Sequence, residues 1–149
     1  MTCSIAFVVP AVPVAQPRQR VAVIGGRART YTPTSHPVNA FKAAAQRAFA
    51  AAYAGPPLDG PLRLEVTFVL PRPQNITSKT KPNPRVHHTK RPDCDNLLKS
   101  LKDALSKLAW HDDSQVSAVQ AVKYVAGGTE QPHVEVIIQE LDGTELEGA

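Results

Sequence analysis

Two pairs of acids, Asp93 with Asp95 and Asp112 with Asp113, follow a stretch of ninety-two residues that holds thirteen Lys and Arg but only Asp59 and Glu65 as acids. Carboxylate oxygens are hard donors. Mg²⁺ takes one or two of them, keeps several waters and bridges to phosphate. An ion so held activates water and neutralises charge on a scissile phosphodiester. Lys99 lies four residues after Asp95, so both project from one face of a helix. Its ammonium suits the phosphorane-like charge of that reaction, or the positioning of the attacking water. A plainer reading of the same residues stands beside this one. Asp before a helix is a normal cap, Asp-Asp is common in turns, and Asp95–Lys99 is an ordinary surface pair. Asp103 continues that face and reads as structural.

The elements that must position these groups set a condition. Residues 95–109 predict a helix with Leu97, Leu98, Leu101, Ala104, Leu105 and Leu108 as its apolar stripe. Such a helix is about 20 Å long. The two acid pairs therefore meet only if the chain after His111 turns back along it as a strand. Residues 111–114 read as a turn, and residues 116–125 and 133–141 as strands joined at Gly127-Gly128. Upstream, Ser4 to Val9 and Leu62 to Leu70 alternate as strands. Val21 to Ile24, the Gly25-Gly26 turn and the residues after it read as a short hairpin. Residues 37–54 predict a helix with Ser35 as N-cap, Pro37 in the first turn and Gly55-Pro56-Pro57 as the stop. Residues 71–92 read as a long polar, proline-rich loop. The order β(β)αβαββ predicts an α+β fold, a compact single domain with a mixed β-sheet packed with two main helices, over residues 1–141. Residues 142–149 read as a flexible C-terminal tail.

Charge and composition narrow the function. No acid occurs before Asp59, and residues 71–91 carry six Lys or Arg and no acid. That bias points to a polyanion, with nucleic acid the usual partner. A divalent cation would reconcile the later acids with such a surface. The two cysteines, Cys3 and Cys94, imply no disulfide framework. No apolar run reaches about 18 residues, and the prolines in residues 5–14 make a poor signal peptide. The expected compartment is the cytoplasm, with no membrane and no small-molecule cofactor. His87, His88 and Cys94 fit no zinc spacing, and the histidines read as facing phosphate or solvent.

The run from Arg91 to Val116 resembles the RusA family of Holliday junction resolvases. It carries Pro92-Asp93-Cys94-Asp95-Asn96, then Lys99, then Asp103-Ala104-Leu105, then Asp112-Asp113-Ser114-Gln115-Val116. Residues 13–20 and 29–33 agree more loosely with the basic loop and Tyr-x-Pro segment of such proteins. Where many relatives carry Asn-Gly after the Asp-Ala-Leu, this chain has Ser106-Lys107. The resemblance implies a compact α+β fold and a homodimer that makes paired, symmetric nicks in four-way junctions with Mg²⁺, with Mn²⁺ as a substitute. It implies Asp93, Asp95 and Asp113 as metal ligands, Asp112 as a fourth, and Lys99 as the catalytic lysine. Arg18, Arg20, Lys79, Lys81, Arg85, Lys90 and Arg91 are assigned to DNA backbones on charge alone. A phage or prophage origin is implied as well. Three rival readings are a branched-DNA-binding protein without catalysis, a nuclease acting on flaps or forks, and a plain structural or interaction domain that binds no DNA at low salt.

Overall fold

The computed structural model describes residues 2–18 and 20–144. A five-stranded sheet runs in the order β1-β7-β4-β6-β5. Its strands are β1 (Ser4–Val9), β4 (Leu62–Leu70), β5 (Val86–His87), β6 (Val116–Val125) and β7 (His133–Glu140). Among these five strands, β4 and β6 pair parallel and the other neighbours antiparallel. A separate two-stranded ribbon holds β2 (Arg20–Ile24) and β3 (Arg27–Tyr31). Of the expected tail, residues 145–149 lie outside the described residues. Among the described residues no helix is long and apolar enough to cross a membrane.

Alternation decides which face of the sheet is covered. Ile5, Phe7 and Val9 pair in register with Ile138, Val136 and Val134. Val136 in turn sits opposite Val66, and Val134 opposite Phe68. One continuous apolar face results, and both helices bury it. Helix α1 (Pro37–Ala52) contributes Val38, Phe41, Ala45 and Phe49, the spacing of one helical stripe. Helix α2 (Cys94–Leu105) contributes Leu97, Leu101, Ala104 and Leu105.

Four local expectations change. The cap of α1 is His36 rather than Ser35: its Nδ1 accepts the Val38 N–H. Helix α2 stops at Leu105, short of residue 109, so Leu108 leaves the stripe and is 41% exposed. Leu98 is half-buried at the margin of the core. Residues 71–92 are built rather than plain loop. They hold a 3-10 turn at Gln74–Ile76 and strand β5 on the edge of the sheet. Arg72 organises them, with its guanidinium donating to the carbonyls of Ile76, Pro84 and Ala126.

The stop of α2 rests on backbone geometry. Lys107 takes a left-handed φ of 71°, a conformation that costs an L-residue roughly 1–2 kcal/mol. Its N–H donates to the Trp110 carbonyl, closing a tight elbow after the helix. Glycine occupies this conformation freely, less its larger loss of chain entropy. Lys107→Gly is therefore expected to raise stability by about 0.5 kcal/mol, read from the urea midpoint at unchanged slope.

Candidate active site

The first turns of α2 carry Asp93, Asp95 and Lys99, all exposed. Asp93 is the N-cap residue, yet its side chain makes no capping hydrogen bond. Its carboxylate is thus not committed to the helix. Among the described residues, Asp95 accepts only the N–H of Asn96, at 3.1 Å. Lys123, on β6, fixes the approach to this helix end by donating to the carbonyls of Lys90 at 2.7 Å and Pro92 at 2.8 Å.

Beyond the elbow the chain returns along α2. Strand β6 starts beside the helix C-terminus and brings Lys123 back to its N-terminal side. Asp113 opens the 3-10 turn that precedes β6. It lines a hollow of about 210 Å³ together with Asp95, Leu98, Lys99, Lys102 and Asp103. The two acid regions therefore share one groove on the exposed side of α2. They do not close on one another: among the described residues, Asp93, Asp95 and Asp113 form no three-ligand cluster within 4.8 Å. Asp95 and Lys99 form no ion pair, which sets aside the plain surface-bridge reading. Asp103 pairs with Lys42 at 3.7 Å, tying α2 to α1.

Two residues given no role from the sequence, Trp110 and the motif residue Gln115, fix Asp113. Trp110 is fully buried, and its indole N–H donates to Asp113 Oδ1 at 2.8 Å. Gln115 accepts from the N–H groups of His111 and Asp112 and donates to the carbonyls of Leu58 and Gly60. Asp112 is the cap of this turn, and Gln115 completes a reciprocal capping box with it. The Ser114 N–H donated to the Asp112 carboxylate lowers its pKa from the ordinary value. The two neighbouring acids thus have different surroundings: Asp112 closes the turn, and Asp113 faces the hollow.

The donor set suits a hard divalent ion. Asp95 and Asp113 bring carboxylate oxygens to a wet hollow, with Asp93 at the same helix end. Mg²⁺ needs only one or two such ligands because it keeps waters. Among the described residues, the cluster of acids and imidazole whose ligand atoms lie within 4.8 Å of one another is elsewhere, at Glu130, His133 and Glu135. Arg85 already fills the cationic position there, with its guanidinium paired to Glu130 and Glu135. Hydrogen bonds first from Arg85 and then from the Gly127 N–H hold Glu130 down to about 2. Burial pulls His133 down, but bonds to the Gln131 carbonyl and Glu135 outweigh it and leave its pKa raised.

The basic residues assigned to DNA differ in their freedom. Arg18, Lys79, Lys81, Lys90 and Arg91 are exposed. Arg85 has its guanidinium held by two carboxylates and lies 5.7 Å from the Tyr124 ring centroid. Arg20 opens β2 opposite Tyr31, and its side chain lies outside the described residues. Of the histidines expected at phosphate or solvent, His87 stacks on Tyr124 with ring centroids 4.9 Å apart. His88 is half-buried, and burial, then the Lys123 charge, pushes its pKa down.

Comparison with known proteins gives three findings. The family model described as endodeoxyribonuclease RusA matches residues 10–139. The chain is 34% identical over 89 residues to the uncharacterized protein YqaN of Bacillus subtilis (strain 168), covering 56% of this chain and 61% of that protein. It is 37% identical over 82 residues to a protein of Lactococcus phage r1t named crossover junction endodeoxyribonuclease rusA, covering 54% of this chain and 56% of that one. The matched stretch thus spans little more than half the length of either relative.

Two substitutions test these supports. Trp110→Phe keeps an aromatic ring but removes the donor to Asp113, and is expected to lower stability by about 2 kcal/mol in urea unfolding. Glu130 has a depressed folded pKa, so its pairing with Arg85 stabilises above its ordinary value of 4.5 and is lost as pH falls toward about 2. Glu130→Gln should melt lower than the parent at pH 7. It should also lose less stability between those pH values in thermal melts.

Proposed function

Given that the chain belongs to the RusA family of endodeoxyribonucleases, we propose that it is a Mg²⁺-dependent nuclease that resolves four-way DNA junctions by paired symmetric nicks. The observation that carries this reading is the hollow shared by Asp95, Lys99 and Asp113 in a chain whose first fifty-eight residues hold no acid. Asp93, Asp95 and Asp113 are the proposed metal ligands, and Mn²⁺ a substitute ion. A bound Mg²⁺ supplies charge neutralisation at the phosphate and an acidified water.

The chain's own groups do the rest. Lys99 brings an ammonium, free of any carboxylate partner among the described residues, to the place where phosphoryl charge grows. Trp110 and Gln115 hold the turn that aims Asp113. Arg18, Arg20, Lys79, Lys81, Lys90 and Arg91 grip phosphates without reading bases, so binding is salt-sensitive. A homodimer fits the task, because a junction offers two equivalent strands and an isologous pair offers two equal sites. The working unit is a single nuclease domain over residues 1–141, acting in the cytoplasm of a host cell on DNA of cellular or phage origin.

The test is cleavage of a labelled synthetic junction with Mg²⁺, beside linear duplex, flap and fork. Paired nicks in the junction alone are expected, abolished by EDTA. Asp95→Asn should fall at least about 100-fold in rate, about 2.7 kcal/mol in barrier, while still binding the junction. Its amide oxygen can still accept the Asn96 N–H, so the helix end is kept. Tight binding without nicks under Mg²⁺ or Mn²⁺ would sink the catalytic reading and leave a branched-DNA-binding protein. Equal cutting of flaps and forks would sink the junction selectivity.

A further inference from the structure

The ribbon of β2 and β3 stands apart from the rest of the fold. Neither strand joins the main sheet, and every residue of β3 is exposed. Its register sorts the side chains into two unlike faces. Val21 pairs with Thr30 and Val23 with Ala28; Ala22 pairs with Arg29 and Ile24 with Arg27. Directly opposed residues share a face. One face therefore shows Val21, Val23, Ala28 and Thr30, and carries no charge. The other shows Arg27 and Arg29 with Ala22, Ile24 and Tyr31.

A two-stranded hairpin by itself is marginal in water. This one adds two like charges on one strand face, about 7 Å apart by strand geometry. No carboxylate offsets them: among the described residues neither arginine has an ion pair. Nor does any acid occur in the sequence before Asp59. Uncompensated like charge on an element without its own core needs an external counter-charge.

The root of the ribbon shows where it attaches to the fold. The Ser100 hydroxyl, fully buried on α2, donates to the Val14 carbonyl at 2.6 Å. The Gln16 N–H donates to the Asn96 carbonyl at 3.0 Å. The chain is thus strapped across the first turns of α2, next to Asp95. Three residues lie between Gln16 and Arg20 at the start of β2, a reach of at most about 14 Å over four steps of chain. The ribbon springs from the rim of the candidate active site.

We propose that the β2–β3 ribbon is an arm for duplex DNA, laying Arg27, Arg29 and Tyr31 along the phosphate backbone of a junction arm beside the cutting site. The proposal rests on the nuclease reading above and adds Arg27, Arg29 and Tyr31, which that reading did not include, to the ribbon that Arg20 opens. Guanidinium groups spaced two residues apart on a strand match the separation of successive backbone phosphates, and they bind phosphate bidentately. Tyr31 adds a phenolic donor on the same face. A two-stranded ribbon is also slim enough to follow a DNA groove.

The test is the salt dependence of junction binding in EDTA, which reads binding without cleavage. Each phosphate contact contributes about 0.9 to the slope of log affinity against log salt. Arg27→Ala with Arg29→Ala should lower the slope by nearly two, and weaken binding at low salt about tenfold to a hundredfold. Its melting temperature should be unchanged, because the ribbon contributes nothing to the core. The double Lys variant should keep the slope. A parental slope in the double Ala variant overturns the proposal. So does a change in sedimentation with the slope retained, which would make the ribbon a contact between copies of this chain. A parent that does not bind the junction at all overturns the nuclease reading, and the arm with it.

Discussion

An indole N–H sealed from water must find an acceptor, or stability falls by the desolvation of that group. Trp110 is fully buried, and its acceptor is the carboxylate of Asp113. One bond therefore joins the core to the candidate site. The elbow closed by Lys107 brings Trp110 under the end of α2. Gln115 locks the following turn against residues 58 and 60. Only then does Asp113 face the groove that Asp95 and Lys99 line. The site is open to solvent, yet its position depends on a tryptophan buried in the core.

Charge is arranged by the same logic of separation. Among the described residues, acids that face the groove are left without cationic partners, apart from the Asp103–Lys42 pair that ties the helices together. Outside the groove, Glu130 and Glu135 converge on Arg85, Glu65 meets Arg63, and Asp59 lies 2.9 Å from the His111 imidazole. The fold thus keeps two chemistries apart. Paired carboxylates hold β7 and its preceding turn to residue 85, and unpaired ones remain available to a cation. Arg85 shows that basic character in a sequence does not imply a free surface charge.

What could be read from the sequence follows from how local each determinant is. Strands β1, β4 and β6 were legible to the residue because alternation and proline or glycine punctuation coincide there. The stop of α2 was not. Leu108 prolongs the apolar stripe, and the left-handed residue is a lysine rather than a glycine. Strand β5 was invisible because it exists only by pairing with Val125 and Tyr124, far along the chain. The candidate acids stood out by type and spacing. Their relation across the groove did not, since it depends on Trp110 and Gln115, whose partners come from other segments. The network of Arg85, Glu130, His133 and Glu135 was hidden for the same reason.

The parallel pairing of β4 with β6 has a kinetic meaning. Leu62 meets Val116 and Leu70 meets Val125, and α2 lies within the crossover that joins these strands. Loop closure over such a distance is slow relative to hairpins and helices. Helix α2, with its exposed acids, can form early, but the groove waits for the turn before β6 to dock. A chain still emerging from the ribosome thus has Asp93 and Asp95 in hand long before Asp113 stands opposite them. The topology acts as a timer, deferring a complete acidic groove until the middle of the sheet has closed.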